Sequence, residues 1–403
     1  MNKQIYIFFL LLIPSFTMAQ KDVIRRNSSY KKEQTKDKRK RHSPHNNYDN
    51  KACFIYDYIG SFSEGLACVK LNGKFGFIDT TGREIIPCYY ELANNFSGNL
   101  AGVQIGEKWG FIDRTGKIII PCIYEEITSF KEERAGVKLN GKWGYIDKRG
   151  NRITSCVYDS NRAHSTGDFC DGLACVILEG KYGYIDKEGN TVISNKYNFA
   201  YSFSEGLSYV YEDHKPYYID KRGQRAISCD YDAVFSFSEG LAVVTKNGKE
   251  GFVDKTGNEV IPCQYTRAFP FSCGLAKVVR DGKIGFIDKN GREIVPCIYF
   301  YDSATEDFIN GFAQVVLNYK YGIIDTAGNL IVPCKYDYVA PYKEGLFMVV
   351  KSGKYGFIET TGQISIPCIY DEANSFSDGI APVKLKGKWG IINKTGKPIK
   401  LSK

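Results

Sequence analysis

Histidine, methionine and tryptophan are scarce in this 403-residue chain, at four, three and three. No pair of histidines falls on an expected helix and no two cysteines enclose a two-residue gap, so neither the paired-His nor the Cys-x-x-Cys zinc signature is present. There is no phosphate-cradling loop ending in Gly-Lys-Ser/Thr and no Gly-x-Ser-x-Gly nucleophile elbow. His42 and His45 fall in a basic stretch, and His164 and His214 are isolated, so each reads as incidental. Past the first twenty residues no apolar run approaches 18, which predicts no further membrane-spanning helix. Forty glycines and thirteen prolines argue against long helices, whose interiors both residues weaken. What is abundant is aromatic: 29 tyrosines and 25 phenylalanines, in a chain apolar enough to bury a large core.

The net charge of +9 is concentrated near one end. Residues 21–51 carry eleven Lys/Arg against four acids, whereas residues 52–403 are nearly balanced. The basic stretch has no apolar period and reads as a disordered linker, 20–51. It is either a solvated spacer or an arm that touches anionic lipid, cell-wall polymer or nucleic acid. The balanced body gives no reason to expect a nucleic-acid-binding face. Lys3, the apolar run Ile5–Ile13 and the small residues around Thr17-Met18-Ala19 form a secretory-signal pattern over 1–19. Export to the periplasm, cell surface or exterior is therefore expected; an uncleaved anchor is the alternative.

From Tyr56 onward the sequence repeats. A Gly, an aromatic or Ile, then Ile/Val and an acid or amide recur, as in Gly76-Phe77-Ile78-Asp79 and Gly110-Phe111-Ile112-Asp113. Anchors fall at 76, 110, 144, 183, 217, 251, 285, 322, 356 and 390, nine of them Gly and one Tyr217. Most spacings are 34, and a tyrosine follows fourteen residues after each of the first nine anchors. Glycines about every nine residues leave no room for the paired helices of another 34-residue repeat. In the first unit the pattern predicts strands over Leu66–Leu71, Lys74–Asp79 and Glu84–Ile86. Asn72-Gly73 suits a tight hairpin. Asp79-Thr80-Thr81-Gly82 suits a turn opened by Asp and closed by a left-handed Gly. Six third strands run into Pro, so that strand is short or at an edge. Apolar residues on both faces demand cover from neighbouring units.

These units resemble the WG-containing repeat family. All three tryptophans precede an anchor Gly: Lys108-Trp109-Gly110, Lys142-Trp143-Gly144 and Lys388-Trp389-Gly390. The companion Phe-Ser-Glu-Gly-Leu-Ala stands at Phe62–Ala67 and Phe237–Ala242, and Ile-Pro-x-x-Tyr-Asp at Ile366–Asp371. Two units depart from the pattern, at Arg134-Ala135-Gly136 and at His214-Lys215-Pro216-Tyr217-Tyr218. The resemblance implies exported or envelope-associated interaction proteins without a shared catalytic site.

The expected fold is all-β: ten three-stranded antiparallel units over 52–403, arranged as an open solenoid, with a closed propeller-like ring as the alternative. Longer units cost little in a line, whereas a whole number of units suits a ring. Eight cysteines occupy one slot, two residues before the unit tyrosine: Cys88, Cys122, Cys156, Cys229, Cys263, Cys297, Cys334 and Cys368. Equivalent slots in stacked sheets lie about 10 Å apart, too far for a disulfide, so these read as buried thiols. The repeated Asp79, Asp113 and Asp147 are explained by turns rather than catalysis. The expectation is a non-enzymatic protein without cofactor or metal. Its partner is a protein or, alternatively, a glycan that the aromatic side chains stack on. Where repetition fails is where a site is sought. The two length changes, Asn161–Asp168 and Tyr301–Asp307, mark Arg162, His164, Asp302, Glu306 and Asp307 as candidate partner contacts.

Overall fold

The computed structural model describes residues 53–160, 167–228, 230–302 and 305–402. The signal-like segment and the basic stretch lie outside them. Among the described residues the regular elements are all strands, in ten antiparallel sheets, eight of four strands and two of three. The protein is a ten-bladed β-propeller, each sheet one blade.

The first blade is Tyr58–Ser63, Leu66–Leu71, Lys74–Asp79 and Glu84–Tyr90. Second and third strands pair in unbroken register, Leu66 with Asp79 through Leu71 with Lys74. Asn72 and Gly73 both take positive φ, 50° and 83°, as the tight hairpin requires. The Asp79 carboxylate accepts the backbone N–H of Thr81 and Arg83, and Gly82 closes the turn at φ 84°. The repeated aspartates are thus turn-formers.

Eight of the ten blades have four strands rather than three. The extra one, first in every blade but the eighth, is often two residues long, as at Leu92–Ala93 and Phe199–Ala200. The Pro-bearing strand is a blade edge, but it is not short: it runs seven residues, as at Ile118–Tyr124. It stays paired by bulging. Trp109 faces Tyr124 while Phe111 faces Ile120, so Pro121 and Cys122 sit in the bulge, where a missing donor costs little. The bulge presses on the anchor glycine. A Cβ on Gly110 would lie 2.5 Å from the Ile120 carbonyl oxygen and 2.7 Å from the Cys122 nitrogen. In the fifth blade Tyr217 takes that position, and the fourth strand shrinks to Arg225–Ser228, pairing as Tyr217–Ser228 and Tyr218–Ile227 without the bulge there. The other departure is milder. Arg134–Leu139 is a full strand in regular register, and only the fourth strand of that blade is reduced, to single bridges at Tyr158 and Arg152.

The tenth blade settles solenoid against ring. It combines Glu372–Ala373, Ile380–Leu385 and Lys388–Asn393 with Phe54–Tyr56 from the other end of the repeats. The array is therefore closed. The open solenoid put first above is not formed, and the propeller-like alternative is. Closure tolerates the longer units because their added residues lie in links between blades, outside the second and third strands that pack. Ser402 adds a second seal, accepting from Glu84 N–H and donating to the Gly82 carbonyl, each at 2.9 Å.

The core lies between blades, and the repeated motif builds it. Phe96 sets its ring 4.9 Å from Phe77 of the preceding blade, edge to face; Phe203 does so with Tyr184 and Phe271 with Phe252. Ser63 Oγ donates to the Phe96 carbonyl at 2.8 Å, and Ser377 closes the circle by donating to Phe62 at 2.7 Å. The Glu64 carboxylate accepts the N–H of Gly98 and Asn99, and Asp378 accepts that of Gly65. Each letter of Phe-Ser-Glu-Gly is a blade-to-blade contact. Slot cysteines face second-strand carbonyls, as Cys122 to Val103 at 3.8 Å, and Asn195, the one amide in that slot, donates to Val176 at 3.1 Å.

Replacing Gly110 by Ala is expected to lower stability by about 3 kcal/mol, because the clash is with backbone that cannot step aside; melting temperature against wild type checks it. Acid should also unfold the ring. The Thr115 hydroxyl, followed by backbone N–H groups, holds the Asp113 carboxyl below the ordinary carboxylate range, and Thr256 does the same for Asp254. A lowered carboxyl stabilises the fold above its unfolded value and loses that contribution as pH falls through the lowered one. Denaturation midpoints should stay level down to about pH 4 and decline below it.

Candidate functional site

Of the five residues marked by the length changes, Arg162 and His164 lie outside the described residues. The other three sit together. Among the described residues the eighth blade has no first strand; its sheet is Phe312–Leu317, Lys320–Asp325 and Leu330–Tyr336. The link residues 301–302 and 305–307 stand where that strand would run.

The link is held from both sides. Thr305 folds back on Asp302, its Oγ1 donating to the Asp302 carbonyl at 2.7 Å. Tyr321 donates its hydroxyl to the Asp302 carboxylate at 2.6 Å. From the seventh blade comes Lys277, only 3% exposed. Its Nζ donates to the Thr305 carbonyl at 2.8 Å, lies 3.1 Å from Asp307 Oδ1, and sits 4.3 Å from the centre of the Phe269 ring. Gln314, 2% exposed, accepts the Glu306 N–H and donates to the Val339 carbonyl of the ninth blade. Burial, and then the Asp307 charge, raise the Glu306 carboxyl above its ordinary range, with Lys277 and Lys343 opposing. The arrangement is a pinned loop with an acidic side, tied across three blades.

Sequence reading found the loop but not Lys277 or Gln314. Both occupy the third position of the second strand, where other blades carry uncharged residues such as Cys68, Gly102, Val243 and Met348. For Lys277, a charged residue in an uncharged slot was the available signal. Burial denies two of the three tryptophans a face on which a sugar could stack. Trp143 and Trp389 are buried and Trp109 is half-buried. His214 stands in a hairpin at φ 64°. Among the described residues no three His, Cys, Asp or Glu side chains converge as metal ligands.

With the ten blades and their motif contacts in place, the model of the WG-containing repeat matches ten consecutive segments, from 54–75 through 355–389. The chain belongs to the WG-containing repeat family. No curated protein matches the sequence. Among solved structures, a eukaryotic initiation factor is similar at 12% identity and TM-score 0.50, over 74% of this chain and 93% of that one. BamB from Moraxella catarrhalis matches at 12% identity and TM-score 0.36, over 64% and 87%. AztD from Citrobacter koseri matches at 13% and 0.33, over 69% and 92%. At these identities the likeness is one of fold alone.

Lys277→Met is expected to strand the Thr305 carbonyl and cost about 1–3 kcal/mol. Hydrogen exchange should speed up in 301–307 while the first blade is unchanged.

Proposed function

We propose that this family member is a non-enzymatic interaction scaffold that works at the bacterial envelope or outside the cell. One observation carries the reading. The polar side chains repeated through the array are engaged in holding blades together: Ser63 and Glu64 across an interface, Asp79 in its turn. What differs from blade to blade is the surface of a rigid ring, which suits binding rather than turnover. The pinned link with Asp302, Glu306 and Asp307 supplies a fixed acidic feature at one place on it. The leader-like pattern at 1–19 supports export.

Cross-linking of the full chain in envelope fractions tests this. One protein partner, linked to residues in 301–307 and lost with Lys277→Met, is the expected result. Reproducible turnover by purified protein, or recovery of polysaccharide without any protein, would overturn it.

A further inference from the structure

Each third strand begins with a lysine beside the link to the next blade. In six blades that lysine meets an acid of the link: Lys74 with Glu91, Lys108 with Glu125, Lys142 with Asp159, Lys320 with Asp337, Lys354 with Asp371 and Lys388 with Asp57. The remaining four are consecutive: Lys181, Lys215, Lys249 and Lys283, all exposed. Among the described residues none of these four pairs with a carboxylate. In three of their links the acid is replaced, by Asn198, Thr266 and Phe300.

The same arc differs in a second way. Two residues before the motif phenylalanine, the links that follow paired lysines carry Asn94, Thr128, Gly167, Ala340, Asn374 and Gly60. The links that follow Lys181, Lys215 and Lys249 carry Tyr201, Phe235 and Phe269. Phe235 is 39% exposed and the other two are half-buried. After Lys283 that position, two before Phe308, is Glu306; Tyr301, earlier in the same link, has its ring centre 6.4 Å from that of Phe269. Phe199 extends the other end, 4.8 Å from Tyr201 and 4.9 Å from Tyr182. The stripe is also pinned. The Tyr184 hydroxyl donates to the Tyr201 carbonyl and the Tyr218 hydroxyl to the Phe235 carbonyl, each at 2.7 Å. The equivalent residue in the first blade is Phe77, which has no hydroxyl to give.

We infer that the first-strand segments of the fifth to seventh blades form a binding stripe for a linear acidic polysaccharide, with Tyr201, Phe235 and Phe269 as its rings and Lys181, Lys215, Lys249 and Lys283, none paired with a carboxylate among the described residues, as its cations. Aromatic faces pack on the C–H faces of sugar rings, and lysines meet uronate carboxylates. Sheets that pack face to face lie about 10 Å apart, roughly the length of two linked sugar rings, so a regular polymer stays in step. Single-stranded nucleic acid also uses stacking and cations. It fits less well here, because Glu179, Asp213 and Asp281 stand in the same hairpins as Lys181, Lys215 and Lys283. At three of the four steps these carboxylates oppose any polyanion, but they accept hydrogen bonds from sugar hydroxyls, which a deoxyribose-phosphate backbone lacks. The inference does not rest on the protein-partner reading; Phe235 and the four lysines that test it lie outside the link 301–307.

Affinity electrophoresis of the full chain tests it, with polygalacturonate, a neutral linear glucan and oligo-dT as probes. Polygalacturonate alone should retard the protein. Phe235→Ala should weaken that binding at least tenfold, and so should the fourfold Lys181→Gln, Lys215→Gln, Lys249→Gln, Lys283→Gln variant, whose exposed sites leave folding intact. A matched variant with Lys74→Gln, Lys108→Gln, Lys354→Gln and Lys388→Gln should stay within twofold of wild type. No retardation by polygalacturonate, equal retardation by the neutral glucan, tighter binding of oligo-dT, or equal losses in the two lysine variants would each overturn the inference.

Discussion

Everything in this ring depends on one contact, the aromatic ring that opens the turn after the first-strand segment, phenylalanine in nine blades and Tyr342 in the ninth, set against an aromatic or Ile side chain of the blade before it. A lone four-stranded meander has no means of covering both its faces. The phenylalanine covers one of them. Burying such a ring contributes about 2–3 kcal/mol, and its edge-to-face geometry about another 1. The serine bond adds about 1 kcal/mol. The exposed lysine–carboxylate pairs, such as Lys74 with Glu91, contribute less than about 1 kcal/mol each. Apolar contact therefore supplies the stability, while serine and glutamate fix the register between blades. Because each contact joins a blade to its successor, the last has to find the first. Ser377 and Asp378 reach Phe62 and Gly65 through the same chemistry that joins any other pair.

The parts of this fold that show in the sequence are the local ones. Asn72-Gly73 and Asp79 to Gly82 act within a few residues, so their turns are legible without knowing what packs around them. The unpaired edge behind Pro121 is legible for the same reason. Its length is not, because the strand stays paired only through a bulge that the anchor glycine makes room for. The first strands are invisible for another reason. Leu92–Ala93 is two residues long and owes its conformation to the second strand beside it. Closure is the least legible feature. It depends on the angle each blade makes with the next, a sum over the whole array that no single segment contains.

The candidate site divides in the same way. Counting residues between anchors is enough to find Asp302, Glu306 and Asp307. Finding Lys277 requires knowing that the third residue of a second strand reaches the first-strand segment of the following blade. Cys68 does this to Ala93, Cys175 to Ala200 and Gln314 to Val339. Seen in that series, Lys277 is the ordinary contact made with a longer, charged arm, as a link without a first strand demands.

The division of labour between positions explains how ten near-equal units carry an unequal surface. Second and third strands, with the turn that follows the first, make the blade-to-blade contacts, so their residues are fixed by neighbours on both sides. Links and first strands have only one obligation, to return the chain to the next turn. Their side chains are free to change wherever the backbone is held by something else. In the third to fifth blades that hold comes from Tyr145, Tyr184 and Tyr218, whose hydroxyls grip the carbonyls of Gly167, Tyr201 and Phe235. A hydroxyl added in the core thus secures a backbone whose outward side chain can be glycine, tyrosine or phenylalanine. The constraint and the freedom sit on opposite sides of the same peptide, which is why this fold absorbs an aromatic arc without losing its closure.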